Sequence, residues 1–167
     1  MVMKVYVYSQ PTFDEYCQNN NLNDSNVENL NDEAFISIIG TKQVNEDYLN
    51  EYDIKHYFNE NHANVLNLEF DDVSEDREWN GIHIKAMTEE QAKECVEFIE
   101  RNLGKNFKIH CRAGVSRSQA LGYFIRTCYE EYENAEENPD NPHITHNVGV
   151  LAMLKRELYK RKGWKID

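Results

Sequence analysis

A nearly unbroken apolar run at residues 34–41, AFISIIGT, is the feature that most restricts how this chain can fold. A strand whose side chains do not alternate between apolar and polar is buried on both faces, as strands are in a parallel sheet covered by helices. Gly40 ends the run. We therefore expect this segment to be an inner strand of a parallel sheet, with helices from elsewhere in the chain covering its faces.

Strand and helix patterns alternate along the rest of the chain. Further strands are predicted at residues 4–9, 65–70 and 107–110, and helices from residue 11 onward and at 88–103, 116–128 and 145–162. Thr88 and Gln91 form the capping box that starts the second of these helices. Residues 130–142, which are acidic and contain Asn and Pro, are expected to be a loop. This order predicts an α/β fold, a central, mostly parallel sheet of four to five strands flanked by helices, in a single domain over residues 1–167.

Charge and cysteine content exclude several classes of protein. The chain has 18 Lys and Arg against 30 Asp and Glu, a net charge of −12, which argues against nucleic acid as a partner because such binding neutralises phosphates with cations. The four cysteines form no C-x-x-C pair, so we predict neither a disulfide framework nor a zinc site.

No apolar run is long enough to cross a membrane, and the first eight residues alternate like a strand rather than a signal peptide. We expect a cytoplasmic protein.

The chemistry of the chain is concentrated in the segment HCRAGVSRS, residues 110–118, between a predicted strand and a predicted helix. A tight loop that ends at a helix N-terminus points backbone N–H groups and the positive end of the helix dipole at one place, which favours an anion. Cys111 begins this loop, and the same groups stabilise the nucleophilic thiolate form of a cysteine. Arg117 ends the loop with a planar fork that matches two phosphate oxygens. Gly114 allows the tight curvature.

This loop resembles the His-Cys-x5-Arg-Ser signature of the protein tyrosine phosphatase superfamily, and the form of its dual-specificity branch in particular. The first strand at the N-terminus and Asn141-Pro142 before the last helix are similar to small microbial members. The resemblance implies the three-layer phosphatase-type fold, with Cys111 as the nucleophile that forms a phosphocysteine and Arg117 as the phosphate ligand. His110 would support the loop and Ser118 would assist breakdown of the intermediate. Backbone amides for the phosphate would come from Arg112, Ala113, Gly114, Val115 and Ser116.

The family also uses an aspartate on a separate loop as general acid, and residues 70–77 offer Asp71, Asp72 and Asp76. If the alternation of the preceding strand continues, Asp72 lies on the same side as Leu68 and Phe70, while Asp71 points away. The family resemblance also favours the second acid after the Phe. We therefore predict Asp72 as the general acid and base, followed by Asp76 and Asp71.

These residues predict an enzyme, a protein phosphatase that hydrolyses either phosphotyrosine alone or phosphoserine and phosphothreonine as well. Its partner would be a phosphorylated protein or peptide, and we expect a monomer that needs no metal or other cofactor and binds no membrane. Two alternatives are an inactive relative that binds phosphotyrosine without cleaving it, and a sulfur transferase of the rhodanese type. The loop has Arg112 and no Lys, which makes a phosphoinositide substrate less favoured. His143 and His146 are expected at the surface, with the rim of the pocket as the alternative.

Overall fold

The computed structural model is an α/β fold, as the sequence predicts, and describes residues 2–41 and 55–164. A five-stranded sheet has the order β3-β2-β6-β1-β7, and every pairing within it is parallel. A separate antiparallel hairpin is formed by β4 and β5. The strands are β1 (Lys4–Ser9), β2 (Glu33–Ile39), β3 (Val65–Glu69), β4 (Arg77–Trp79), β5 (Ile82–Ile84), β6 (Asn106–Cys111) and β7 (Glu136–Glu137). The helices are α1 (Gln10–Asn19), α2 (Glu89–Arg101), α3 (Arg117–Cys128) and α4 (Val148–Lys162), with short 3-10 helices at Val27–Asn29 and Glu130–Tyr132.

The sheet is the middle layer of three. Helices α2, α3 and α4 pack on one face in the larger hydrophobic core, which includes Ile36 and Ile38 of β2. Helix α1 packs on the other face in a smaller core with Phe35. Alternate residues of β2 thus enter opposite cores, which explains why its sequence is apolar throughout. No helix in the described residues is long and apolar enough to cross a membrane.

Most of the predicted helix boundaries are close to the observed ones. Thr88 caps α2, and its capping box with Gln91 is present. Helix α1 begins at Gln10, one residue before the predicted start, because the Ser9 side chain accepts from the Thr12 amide. Helix α4 begins at Val148 rather than at residue 145, because the side chain of Asn147 accepts a hydrogen bond from the amide of Val150 and ends the preceding segment.

The prediction that residues 130–142 are only a loop is wrong. The segment contains the 3-10 helix Glu130–Tyr132 and the edge strand β7, which pairs with β1. Tyr132 is fully buried, and its hydroxyl donates to the carbonyl of Lys105 at 2.6 Å. A strand of two residues has too few side chains to show a period, so the sequence carried no signal for it.

Candidate active site

The predicted loop lies between the centre of the sheet and the start of a helix. Strand β6 ends at Cys111 and helix α3 begins at Arg117. Strand β6 lies between β1 and β2, so Cys111 is at the carboxyl edge of an inner strand, where ligands of parallel sheets bind. The Cys111 side chain is buried, with 2% of the residue exposed.

The carbonyl groups of the first two loop residues are bound by donors outside the loop. The Nδ1 atom of His110 lies 3.0 Å from the carbonyl oxygen of Cys111. The backbone amide of Gln10, at the start of α1, donates to the carbonyl of Arg112 at 3.0 Å. The loop is therefore attached on this side to the preceding strand and to the first helix.

The turn of the loop at Gly114 is held just as closely. Its carbonyl accepts from the side-chain amides of Asn141 at 2.9 Å and Gln119 at 3.2 Å. Gly114 has a φ of 72°, and a Cβ there would lie 2.6 Å from the backbone carbon of Tyr8 and 2.7 Å from the backbone nitrogen of Ser9. Both the backbone conformation and the contact with β1 require glycine at this position.

The contacts of these three carbonyls determine where the loop amides point. A trans peptide is planar, so its C=O and N–H groups point in opposite directions. With the carbonyls of residues 111, 112 and 114 held from outside, the amides of Arg112, Ala113 and Val115 face away from those donors. Among residues 2–41 and 55–164, none of these three amides donates a hydrogen bond. With the first amides of α3, they form a group of donors suited to an anion.

Arg117 and Ser118, in the first turn of α3, bring the remaining polar groups to Cys111. Arg117 is 6% exposed, and its Nη1 donates to the carbonyl of Phe70 at 2.9 Å. The guanidinium therefore connects the loop to the end of β3. The hydroxyl of Ser118 is fully buried and lies 3.0 Å from the Cys111 sulfur, within reach for donating a hydrogen bond to a thiolate.

His110 belongs to a chain of polar groups that the sequence reading missed. Its Nε2 lies 2.6 Å from the hydroxyl of Ser37 in β2, and that hydroxyl lies 2.7 Å from Nδ1 of His56. Burial lowers the pKa of His110 to about 3 and that of His56 to about 4. Both rings are therefore neutral at physiological pH. Ser37 is the single polar residue in the apolar run of β2, and it was the signal in the sequence that could have indicated this series of hydrogen bonds.

The three candidate acids have different surroundings. Asp71 is buried, and its carboxylate accepts from the amide and hydroxyl of Thr41 and from the amide of Lys85. Asp76 accepts from the amide of Ala86 at the base of the β4–β5 hairpin. Both carboxylates thus hold the backbone of neighbouring segments together.

Asp72 is the candidate that contacts the loop. Its Oδ1 accepts from the hydroxyl of Ser116 at 2.7 Å and from the side-chain amide of Asn147 at 2.9 Å. In the described part of the chain, Oδ2 of this exposed carboxylate has no hydrogen-bond partner. Asn147 also caps α4, so the start of that helix holds the carboxylate beside the loop.

The alternation used to choose Asp72 does not extend to that residue. Strand β3 ends at Glu69, and both Phe70 and Asp71 are buried, whereas Asp72 is exposed. The backbone leaves the pleated conformation because the amide of Asp71 donates to the carbonyl of Lys85 rather than to a strand of the sheet. Asp72 thus reaches the loop from an irregular segment.

His143 and His146 form a pair beside α3. Their Nε2 and Nδ1 atoms are 2.8 Å apart, and both rings stack on Tyr123, with centroid distances of 4.9 and 5.0 Å. Both are half-buried rather than surface residues. In the described part of the chain, these two residues contact each other, Tyr123 of α3 and Glu137 of β7, and neither has a hydrogen bond or ring contact with residues 111–118.

Comparison of the chain with models of protein families, with curated proteins and with solved structures found no match. Among the described residues, no group of three or more His, Cys, Asp or Glu side chains is arranged to hold a metal ion.

We predict that Gly114→Ala lowers the free energy of unfolding by about 3 kcal/mol, because the added methyl group meets the backbone of β1 as well as an unfavourable φ. Gly104→Ala is the matched control, since Gly104 also has a positive φ, 92°, but a Cβ there meets no atom within 4 Å. That control should lose only about 1 kcal/mol. Urea unfolding of the two variants measures the difference, and equal losses would contradict the close contact with β1.

Proposed function

We propose that this protein is a cysteine-dependent phosphatase that hydrolyses phosphate monoesters on protein side chains, phosphotyrosine above all. One observation carries the proposal: the buried thiol of Cys111 begins a loop in which the amides of residues 112, 113 and 115 have no partner in the described chain. Arg117 and Ser118 lie directly after this loop, in the first turn of α3. A phosphate bound by these donors would face the sulfur of Cys111, and the same donors would stabilise the charge of the transition state. The resemblance of residues 110–118 to the phosphatase signature supports the same chemistry.

In the first step, the Cys111 thiolate attacks phosphorus and the bond between phosphorus and the leaving oxygen breaks. Asp72 gives its proton to that oxygen, so the product leaves as a neutral hydroxyl. In the second step, Asp72 takes a proton from water as the water attacks phosphorus, and the sulfur–phosphorus bond breaks. The hydroxyl of Ser118, 3.0 Å from the sulfur, donates to the thiolate as it departs.

Asp72 is proposed as the acid because it alone of the three candidates contacts the loop in the described structure. Its contacts with Ser116 and Asn147 use one carboxylate oxygen, and the other oxygen of this exposed residue has no hydrogen-bond partner in the described residues. Asp71 accepts hydrogen bonds from three backbone and hydroxyl donors, which hold its carboxylate away from the loop.

Cys111→Ser should abolish hydrolysis of p-nitrophenyl phosphate, because an alcohol is far less ionised than a thiol at neutral pH. The variant should still bind vanadate or phosphate, since the loop amides and Arg117 are unchanged. Steady-state kinetics and isothermal titration measure the two properties. Cys128→Ser is the control and should retain wild-type turnover. Unchanged hydrolysis in Cys111→Ser would exclude the proposed mechanism, and sulfur transfer from thiosulfate by the wild type would support the rhodanese alternative.

Asp72→Asn should reduce kcat by about 10²- to 10³-fold for a poor leaving group such as that of phenyl phosphate. The reduction should be smaller for p-nitrophenyl phosphate, whose leaving group departs without a proton. Asp76→Asn, which removes a neighbouring carboxylate that does not contact the loop, is the control and should show no such dependence. The opposite pattern, with leaving-group dependence only in Asp76→Asn, would assign the acid to Asp76.

The surface around the loop supports a polypeptide substrate. Val115 in the loop is 49% exposed, and Ile144 and Val148 in the adjoining segment are 86% and 69% exposed. Val115 and Ile144 line one small cavity of about 40 Å³, and the amide of Asn147, next to Val148, donates to the carbonyl of Ser116. These aliphatic side chains offer no hydrogen-bonding group to a sugar. They fit an apolar side chain beside a phosphorylated residue.

The wild type should therefore prefer a phosphotyrosine peptide with Leu next to the phosphorylated residue over a matched peptide with Ser there, by about 5-fold in kcat/KM. The double variant Ile144→Ser and Val148→Ser should lose this preference while keeping its rate on p-nitrophenyl phosphate. Val2→Ser is the control, because Val2 is 59% exposed but precedes β1, at the opposite edge of the sheet. A preference that survives in the double variant would place peptide recognition elsewhere.

A further inference from the structure

We propose that Ser37 and His56 are positioning residues for the nucleophile, which keep the proton of His110 on Nδ1 so that His110 holds the carbonyl of Cys111. The catalytic consequence rests on the proposed function, whereas the proton position does not. Neither Ser37 nor His56 touches the loop directly. They would act through His110, which is fully buried between β2 and α1.

The direction of each hydrogen bond follows from the one at the loop. A carbonyl oxygen only accepts, so Nδ1 of His110 carries the proton that is shared with Cys111. In the neutral ring, Nε2 is then an acceptor, and the Ser37 hydroxyl must donate to it across 2.6 Å. The Ser37 oxygen in turn accepts from Nδ1–H of His56 across 2.7 Å. Every link of the chain therefore favours the same tautomer of His110.

The surroundings of His110 keep the ring neutral, which makes the tautomer matter. Burial contributes most to its low pKa, and the positive charge of Arg117 and the neighbouring His56 lower the pKa further. Phe13 covers the ring at a centroid distance of 4.4 Å. A neutral imidazole has one N–H, so a proton on Nε2 would leave the Cys111 carbonyl without its donor.

That carbonyl controls one of the three amides of the proposed phosphate site. Because the peptide between residues 111 and 112 is planar, a rotation that released the carbonyl of Cys111 would also turn the Arg112 amide. Ser37 and His56 therefore stabilise the direction of a donor that they do not contact. This gives a reason for a hydroxyl in the middle of an otherwise apolar buried strand.

A second route connects the same segment to the loop. The side-chain amide of Gln10 donates to the carbonyl of Lys55 at 2.8 Å, and its backbone amide donates to the carbonyl of Arg112. Residues 55 and 56 are thus linked to both of the first two loop carbonyls, one through Gln10 and one through Ser37 and His110. The two routes together fix the start of the loop relative to β2 and α1.

The test is the tautomer of His110, measured by ¹⁵N NMR of the imidazole rings in the full chain, with His110→Gln to assign the signals. The wild type should show protonated Nδ1 and unprotonated Nε2. Ser37→Ala should shift His110 towards the other tautomer, and Ser37→Thr, which retains the hydroxyl, should restore the wild-type pattern. Ile38→Val is the control, since it also removes buried volume from β2 but leaves the hydroxyl in place. A His110 protonated on Nε2 in the wild type, or unchanged in Ser37→Ala, would overturn the proposal.

Kinetic measurements on the same variants test the positioning effect. Ser37→Ala should lower kcat/KM for p-nitrophenyl phosphate and the rate of Cys111 alkylation by iodoacetamide by about 10-fold, the equivalent of one lost buried hydrogen bond. His56→Leu should act in the same direction and more weakly. Equal changes in Ser37→Ala and Ile38→Val would indicate a structural effect only and contradict the proposal.

Because alkylation and NMR do not require turnover, a wild type without phosphatase activity would refute the proposed function separately.

Discussion

The site depends on the fixing of three loop carbonyls by groups outside the loop. His110, Gln10 and Asn141 hold the carbonyls of residues 111, 112 and 114, respectively. Peptide planarity then directs three amides to the other side without any further interaction. Each holding group comes from a different part of the chain, namely β6, the start of α1 and the segment before α4. The donor arrangement is therefore set by the tertiary fold rather than by the loop sequence alone.

This arrangement gives the proposed phosphate site a source of positive charge in a chain whose net charge is −12. Under the proposed function, the positive charge that attracts the phosphate would come from backbone dipoles and from Arg117, which is 6% exposed and so partly shielded from water. Acidic side chains on the exposed surface are screened over about 8 Å at physiological ionic strength. Under the proposed function, we expect the same acidity to disfavour acidic polypeptides and anionic membranes as partners. An apolar rim beside the loop is consistent with selection by contact rather than by charge.

The sequence was sufficient for the parts of the fold that depend on local patterns. The pattern of apolar residues and the helix-capping residues predicted the inner strand β2, the helix α2 and the strand-loop-helix unit around Cys111. Together these elements predicted the parallel sheet. The segment with the three candidate acids, residues 70–77, was harder to predict from the sequence. Strand β3 ends at Glu69, and the direction of Asp72 is set by hydrogen bonds from Ser116 and Asn147, which lie more than forty positions away in the sequence. Ser37 and His56 were missed for the same reason. Their connection to His110 exists only once β2 and β6 are paired.

The most direct test of the central claim is the covalent state of Cys111 during turnover. The wild type would be mixed with a phosphotyrosine peptide, quenched in acid within the first turnover, digested and examined by mass spectrometry. A phosphocysteine mechanism predicts one phosphoryl group on the fragment that contains Cys111, and none on the same fragment of the Cys111→Ser variant. Hydrolysis of the peptide with the phosphoryl group on another residue, or with no phosphorylated enzyme at any quench time, would contradict it.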